Sequence, residues 1–375
     1  MRVGVLTAEE FDGFGYVARK TAELLRLRGH EVFLIDTFQV GKRETSLQGV
    51  PLYFILRKKP KLGLLEELII TRNFINKNRL DSIISISAWI GKWSYYFKQV
   101  SPKLKSLIWF QDVRTDDDWR KIFTIPFYWL ESGRKDFSSL ILHERYNRFL
   151  RKKGIHKADG LITQAELICD KVKKLYDIES VKIVSNPVPI PEQNQIKKGR
   201  DPSVVFLGRL DVVKRPWLFG EIAKCFPNIR FLVLGTSQFP ETTNGLINQY
   251  RSLKNLTFLG YVDGKKKAEI LSRAWILVNT SVYESLPVSF LEALAYKMAI
   301  LSCQNPDNLA SNYGVYTGEI LGNGMSGIPR FVKGLKYLLS NDEWARKGEM
   351  GYMFVKSFAE EGKIAEELEK ILISL

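Results

Sequence analysis

The chain has 375 residues, of which 45% are hydrophobic and 26% charged, proportions that exclude a disordered or fibrous protein. Its three cysteines are widely spaced and form no C-x-x-C pair, which argues against a disulfide framework or zinc site and favours a reducing compartment. The net charge of +15 is uneven, since residues 1–190 hold 33 Lys and Arg against 22 Asp and Glu, and residues 191–375 hold 23 against 19. The first half should therefore face an anionic partner: nucleic acid, an anionic membrane or phosphorylated small molecules.

The N-terminus begins at once as a strand and becomes acidic by Glu9, which leaves no room for the apolar core of a signal peptide. The longest uncharged runs, at residues 82–91 and 122–130, fall short of the ~18 residues that span a bilayer. We expect a cytoplasmic protein that is soluble or lies peripherally at the inner face of the membrane.

Short β-branched runs alternate with amphipathic stretches through the first half, a pattern typical of parallel strands joined by crossover helices. The runs are RVGVL (2–6), EVFLI (31–35), SIISI (82–86), SLIWF (106–110), GLIT (160–163) and VKIVS (181–185). After the first run, Gly13-Phe14-Gly15 predicts a glycine-bearing loop, because a Cβ there would obstruct close approach of the backbone.

Residues 119–153 mix aromatic and basic side chains, as an amphipathic segment at a membrane interface does. One hypothesis is that this segment lies at an anionic membrane and meets a lipid-linked substrate there. The basic cluster at residues 57–61 supports it. The alternative is a helical insertion whose aromatics pack in the core. The preceding run Asp116-Asp117-Asp118 is interpreted as a polar turn rather than a metal site.

The second half repeats the strand pattern, with SVVFLG (203–208), IRFLVLG (229–235), NLTFLG (255–260), WILVNTS (275–281) and AILSC (299–303). A proline-rich, polar stretch without periodicity precedes it and indicates a linker. We predict a first domain over 1–190, a linker over 191–202, a second domain over 203–340, and C-terminal helices over 341–375, the last packing back toward the first domain.

Two glutamates, Glu284 and Glu292, stand eight residues apart across a predicted strand-to-helix junction. Pro287 suits the first turn of that helix, and the amides of Leu286, Val288 and Ser289 would then point from its N-terminus as an anion site that fits a diphosphate. Glu284 would reach a reacting sugar, and Glu292 could accept hydrogen bonds from ribose hydroxyls. Alternatively, both are solvated or salt-bridged helix acids.

A second motif follows the strand at 203–208, where Gly208, Arg209 and Lys214 lie at the kind of strand end that binds ligands in open α/β sheets. Two cations there could neutralise the charge that builds on a departing nucleoside diphosphate, as a metal ion would.

These motifs resemble those of GT-B fold glycosyltransferases, in particular the large family four of retaining enzymes. The resemblance covers most of the chain and is closest in the second half, through G-R-L-x-x-x-K at 208–214 and the glutamate pair followed by Ala-Leu-Ala. Looser matches are ADGLIT at 158–163 and VSNPV at 184–188. The resemblance implies an α/β fold of two Rossmann-like, doubly wound domains facing each other across a cleft.

The resemblance also implies roles for individual residues. Arg209 and Lys214 would hold the diphosphate of a nucleotide-sugar donor, Glu284 would contact the transferred sugar, and Glu292 would bind the ribose. No cofactor or metal is implied. Further donor contacts would come from Gly208, Leu286, Pro287, Val288, Gly235, Thr236, Tyr261, Val262, Gly13 and Gly15.

The chain departs from the family pattern at several positions. Gln111 and Asp112 stand where many relatives carry a histidine, and we expect Asp112 to orient the acceptor hydroxyl. Lys297 replaces a small glycine after the glutamate helix, and the glycine-rich donor loop is reduced to Gly235-Thr236-Ser237. None of the three histidines follows an evident strand end, so we interpret them as structural: His30, His143 and His156.

Retaining transfer in this family is described as front-face attack in which the leaving phosphate accepts the acceptor's proton. The protein then mainly positions the reactants and stabilises developing charge. The expected partners are a nucleotide-sugar donor, a glycan or lipid-linked acceptor, and peripherally an anionic membrane. Alternatives are a GT-B sugar-nucleotide epimerase, which needs further acid and base groups, and a nucleic-acid binder, for which the chain shows no recognisable module.

Overall fold

The computed structural model describes residues 1–7, 13–36, 45–47, 50–54, 63–86, 97–133 and 136–375. The chain forms two compact units. The N-terminal unit comprises Met1–Val113, Leu142–Pro187 and Glu361–Leu375, and the C-terminal unit comprises Arg114–Ile141 and Val188–Glu360. The basic cluster at 57–61 lies outside the described residues.

The N-terminal unit contains a sheet in the order β3-β4-β2-β1-β5-β6-β7-β8, in which only the β3–β4 pairing is antiparallel. Its strands are β1 (Arg2–Thr7), β2 (Glu31–Asp36), β3 (Thr45–Leu47), β4 (Val50–Phe54), β5 (Ser82–Ile86), β6 (Lys105–Phe110), β7 (Gly160–Thr163) and β8 (Lys182–Ile183). Each of the six runs predicted for this half overlaps one of these strands, and β3 and β4 are additional. All five residues of β5 are buried, as expected for a parallel strand covered on both faces.

Four helices that belong wholly to this unit are α1 (Gly13–Leu27), α2 (Gly63–Asn78), α6 (Glu166–Tyr176) and α14 (Glu361–Ser374). Gly29 follows α1 with φ 88°, a left-handed conformation that suits the residue after a helix. The C-terminal helix α14 is held by Glu369, which accepts hydrogen bonds from Arg28 Nε at 2.7 Å and contacts His30 Nε2 at 2.9 Å. His30 thus has a structural partner.

The C-terminal unit contains an all-parallel sheet in the order β11-β10-β9-β12-β13-β14. Its strands are β9 (Ser203–Leu207), β10 (Arg230–Leu234), β11 (Leu256–Gly260), β12 (Ile276–Asn279), β13 (Ala299–Ser302) and β14 (Gly314–Tyr316). The five runs predicted for this half are confirmed as strands, and β14 is an additional short one. Two doubly wound α/β units agree with the fold class predicted from the sequence.

The remaining helices are α3 (Asp116–Phe123), α4 (Tyr128–Ser132), α5 (Phe137–Ile155), α7 (Pro216–Lys224), α8 (Pro240–Ile247), α9 (Gly264–Arg273), α10 (Val288–Ala295), α11 (Leu309–Asn312), α12 (Ile328–Leu339) and α13 (Glu343–Phe358). The division between the units falls within α5, after Ile141. Among the described residues, no helix combines the length and apolarity that crossing a membrane requires.

Residues 114–141 differ from the sequence-based boundaries, which placed them in a first domain of 1–190. They group with the C-terminal unit, because Trp119, Ile122 and Ile125 are buried in its core. Asp116-Asp117-Asp118 form the first turn of α3 and not a polar turn; Thr115 and Asp118 cap it reciprocally, and acids there favour the helix dipole.

Candidate functional site

The strand order of the C-terminal sheet reverses between β9 and β12, which lie side by side although two strands separate them in the chain. At such a point the loops from adjacent strands diverge, and ligands of open α/β sheets bind there beyond the carboxyl ends of the strands. Lys214 follows β9 and Glu284 follows β12. The two motifs singled out in the sequence therefore meet at the switch point of one sheet.

The loops after β9 and β10 lie in direct backbone contact at this edge. The amide of Gly208 donates to the carbonyl of Leu234, and the amide of Leu210 donates to that of Thr236, both at 3.0 Å. Gly235 has φ 144°, and a Cβ on it would lie 1.9 Å from the carbonyl oxygen of Gly208. Only glycine fits there, so the loop after β10 is held against the loop after β9.

Glu284 is the most heavily bonded carboxylate of the predicted site. Lys214 Nζ donates to its two oxygens at 2.7 and 2.8 Å, Asn279 Nδ2 donates at 2.8 Å, and Ser281 Oγ at 2.5 Å. The Glu284 side chain is only 7% exposed and that of Lys214 is 22% exposed. The ion pair and the two neutral donors fix the direction of this carboxylate.

Arg215, next to Lys214, joins the loop after β9 to the loop after β12. It was not singled out in the sequence. Its guanidinium donates to the carbonyl oxygens of Thr280 at 2.7 Å, Ile320 at 2.8 Å and Ser281 at 3.2 Å. The residue is fully buried, and burial lowers the pKa of its guanidinium. Its signal in the sequence is slight: a basic residue directly before the proline that begins α7.

Arg209 contrasts with its buried neighbours. Its side chain is 37% exposed, with Nε 3.0 Å from Asp211 Oδ2 and Nη1 donating to Gln238 Oε1 at 3.0 Å. It is attached to the loops after β9 and β10 and remains accessible to an anionic ligand. Gly208, at the start of the same loop, has open space where a side chain would stand.

Helix α10 begins at Val288, with Pro287 as its N-cap residue in an extended conformation. The sequence placed Pro287 in the first turn, one position further on; its φ of −68° suits either place. Leu286 is buried. The first amides of any helix lack intrahelical partners and attract anions, so this N-terminus lies four residues from Glu284 with the chemistry expected of a phosphate contact.

Glu292 lies on the second turn of α10 and is almost as buried as Glu284, with 8% of its side chain exposed. Lys267 of α9 donates to its Oε1 at 2.7 Å. Burial alone would lower the pKa of Lys267, but the ion pair with Glu292 outweighs it and the pKa is raised. Both glutamates are thus salt-bridged, as the alternative interpretation of the sequence held, and they are buried as well.

The turn after β11 contains Tyr261 and Val262. Val262 is buried, whereas Tyr261 is 54% exposed and its hydroxyl lies 3.3 Å from Asp263 Oδ2. Thr236, after the neighbouring strand β10, joins the backbone contact described above. Among the described residues, no group of three or more His, Cys, Asp and Glu side chains is arranged to hold a metal ion.

Glu131 of α4 is a second residue that the sequence analysis missed. Both of its carboxylate oxygens accept hydrogen bonds from the amide of Val212, at 3.0 and 3.1 Å. Val212 begins the short 3-10 turn that ends at Lys214. Burial raises the pKa of Glu131 to about 7 against the opposing hydrogen bond from Val212. Only a sequence pattern linking residue 131 to residue 212 could have revealed it.

In the N-terminal unit, Gly13 and Gly15 lie in the first turn of α1, not in a loop; residues 8–12 are outside the described residues. Asp112 is buried directly after β6, next to Gln111, whose carbonyl oxygen accepts a hydrogen bond from Gln164. His156 Nε2 contacts the carbonyl oxygen of Tyr176 at 2.9 Å, and His143 is exposed on α5.

The chain is similar to known proteins in sequence and in fold. Residues 190–349 match the family described as glycosyl transferases group 1. An uncharacterized glycosyltransferase of Methanocaldococcus jannaschii is 27% identical over 137 residues, 35% of this chain and 32% of that protein. The alignment thus spans about a third of that relative's length.

Solved structures resemble the whole chain. Sucrose-phosphate synthase from Thermosynechococcus elongatus has a TM-score of 0.76 at 15% identity, over 100% of this chain and 98% of that one. HepE from Anabaena, solved in complex with UDP and glucose, has a TM-score of 0.73 at 14% identity over 100% of both chains. At such identities the likeness establishes the fold alone. Residues 190–349 therefore match the model of the group 1 glycosyl transferase family, and the chain has the GT-B fold of two Rossmann-like α/β units.

Proposed function

We propose that the protein is a retaining glycosyltransferase that moves a sugar from a nucleotide-diphosphate donor to an acceptor hydroxyl. The observation that carries the proposal is the buried Lys214–Glu284 pair at the switch point of the C-terminal sheet, four residues before the N-terminus of α10. A cation, a fixed carboxylate and helix amides together match the charges of a nucleotide sugar, whose diphosphate is anionic and whose sugar presents hydroxyl donors.

The two cations divide the work on the diphosphate. Arg209 is accessible and binds the phosphates as they arrive, while Lys214 is held by Glu284 and stabilises the charge that grows on the leaving phosphate. Because Glu284 already neutralises Lys214 in the resting protein, the lysine keeps its position without a ligand. This preorganisation removes the need for a divalent metal in the proposed reaction.

The glutamates bind different parts of the donor. Glu284 accepts a hydrogen bond from a hydroxyl of the transferred sugar, and Glu292, oriented by Lys267, accepts hydrogen bonds from the ribose. Tyr261 and Val262 border the base. The HepE complex with UDP and glucose makes a uridine nucleotide the first donor to test.

The proposed acceptor is a glycan or a lipid-linked glycan, met by the N-terminal unit with its excess of positive charge. Asp112 orients the acceptor hydroxyl, and the leaving phosphate takes its proton, so no strong protein base is required. Peripheral contact with an anionic membrane belongs to the same proposal.

The test is incubation of the full chain with UDP-sugars and with GDP- and ADP-sugars, followed by proton NMR of the products. Released or transferred sugar that appears first with the anomeric configuration of the donor supports retaining transfer. Inverted product contradicts retention, and a new epimer of the nucleotide sugar without release of nucleotide replaces the proposal with an epimerase. Lys214→Ala should lower turnover, whereas Lys254→Ala, a substitution before β11, should not.

A further inference from the structure

The part of helix α5 that belongs to the N-terminal unit, residues 142–155, exposes a row of large apolar side chains. Leu142, Tyr146 and Phe149 are 72%, 62% and 59% exposed. Their spacing of four and three residues places them on one side of the helix. Glu144 and Ile155 are buried and mark a different side. The helix therefore has an inward face that is packed and an outward stripe of large apolar side chains in water.

The surroundings of this stripe are strongly basic. Residues 142–157 contain six Lys and Arg and a single acid, Glu144. That acid is buried and bound to Arg151 at 3.3 Å, so it offsets one of the six cations. Beyond the stripe, an open cavity of about 540 Å³ is lined by Phe149, Lys152, Lys153, His156 and Lys157. Exposed apolar side chains and a recess bordered by three lysines thus share one surface.

We propose that the outward face of residues 142–157 docks the protein on an anionic lipid surface. Leu142, Tyr146 and Phe149 would enter the boundary between headgroups and acyl chains, and the lysine-lined cavity would receive an anionic headgroup. The proposal narrows the segment 119–153 that the sequence suggested, because the apolar residues of 119–141 include several buried in the core of the C-terminal unit.

The chemistry of the stripe favours lipid over nucleic acid. Phosphates of a nucleic acid would be satisfied by the cations alone, whereas an exposed leucine in register with two aromatic rings gains only from an apolar environment. The inference builds on the proposed function, since a docked enzyme reaches acceptors anchored in lipid. Docking itself is measured without donor or acceptor, so the two proposals can fail separately.

The experiment is co-sedimentation of the full chain with vesicles of phosphatidylcholine alone and of phosphatidylcholine mixed with phosphatidylglycerol. We expect binding to the mixed vesicles only, weakened by added salt, and reduced at least tenfold by the double substitution Tyr146→Ser, Phe149→Ser. The double variant Tyr337→Ser, Met353→Ser changes two apolar side chains exposed on α12 and α13 and should bind like the wild type.

A second measurement follows the helix directly. Hydrogen exchange of residues 142–157 should slow when mixed vesicles are added, and circular dichroism should show that both double variants remain folded. Equal binding by the wild type and the Tyr146, Phe149 variant would overturn the proposal. The proposal would also be overturned if the protein did not bind vesicles and instead sedimented with duplex DNA or self-associated through α5.

Discussion

The two units use charge in opposite ways. At the strand ends of the C-terminal sheet, Glu284, Glu292 and Arg215 are buried and each has defined partners. On α5 of the N-terminal unit, basic side chains surround Leu142, Tyr146 and Phe149, which are exposed. At the strand ends of the C-terminal sheet, hydrogen bonds and ion pairs offset the free-energy cost of burying charge. On α5, large apolar side chains remain exposed to water.

The difference separates two kinds of recognition. Buried, paired charges cannot move to suit different ligands, so they suit a small anionic molecule bound in a single orientation. Exposed cations beside apolar side chains tolerate many geometries and suit an extended surface. Substitutions in the first region should therefore change chemistry or folding, and substitutions on α5 should change only where the protein binds.

The largest effect is expected for Glu284→Gln. Gln keeps the size of the side chain but removes the charge that holds Lys214 and that is proposed to contact the sugar, so turnover should fall by about 10² to 10³, or ~3 to 4 kcal/mol of transition-state stabilisation. Steady-state kinetics with the donor that proves active would measure it. Glu269→Gln, an exposed acid on α9, is the control, and equal turnover of the two variants would contradict the role of Glu284.

Gly235→Ala tests whether the backbone contact between the loops after β9 and β10 is rigid. The new Cβ would collide with the carbonyl of Gly208, and the alanine would have to adopt an unfavourable φ. Together these should destabilise the C-terminal unit by about 2 to 3 kcal/mol. Gly245→Ala is the matched control, because a Cβ on that helical glycine would meet no other atom within 4 Å and alanine favours helix. Similar thermal unfolding midpoints for the two variants would show that the edge adapts.

A smaller effect is expected from Glu131. Its carboxyl has an ordinary pKa of 4.5 and a raised pKa of about 7 in the folded chain, so the folded state binds the proton more tightly. This contribution to stability is complete below pH 4.5 and is lost as the pH rises through 7. Because the carboxyl is only partly buried and solvent screens it, the wild type should lose about 1 to 2 kcal/mol relative to Glu131→Gln between about pH 4.5 and 8. Parallel denaturation profiles of the two proteins across that range would contradict it.

Much of the C-terminal unit follows from its sequence because its signals are local. Strands there are short apolar runs, and three of them, β9, β10 and β11, end at or directly before a glycine. The predicted site residues Gly208, Lys214, Glu284 and Glu292 lie close in sequence to strand ends or to the helix that follows. A local pattern cannot show which distant groups pair. The bonds from Lys267 to Glu292, from Arg215 to Thr280 and from Glu131 to Val212 each join elements that are far apart in the chain.

The N-terminal unit was harder to predict for the same reason. The sequence predicted six of the eight strands described in its sheet and missed β3 and β4. Residues 114–141 group with the other unit because Trp119, Ile122 and Ile125 are buried in its core. Gly13 and Gly15 suggested a loop, yet they begin α1. The exposed stripe of α5 was hidden within a longer aromatic and basic segment, since the composition of 119–153 does not reveal which aromatics are buried.

Calorimetric titration with UDP, GDP and ADP tests the central claim, that the strand edge of the C-terminal unit binds a nucleoside diphosphate. The proteins compared are the wild type, Arg209→Ala, Glu292→Ala and Arg230→Ala, the last an exposed arginine at the opposite end of β10. We predict micromolar binding of one nucleotide that chelator leaves unchanged. The first two substitutions should weaken it by about tenfold or more, ~1.4 kcal/mol, and the third should not. Absence of binding by every nucleotide, or equal binding by all four proteins, would contradict the account.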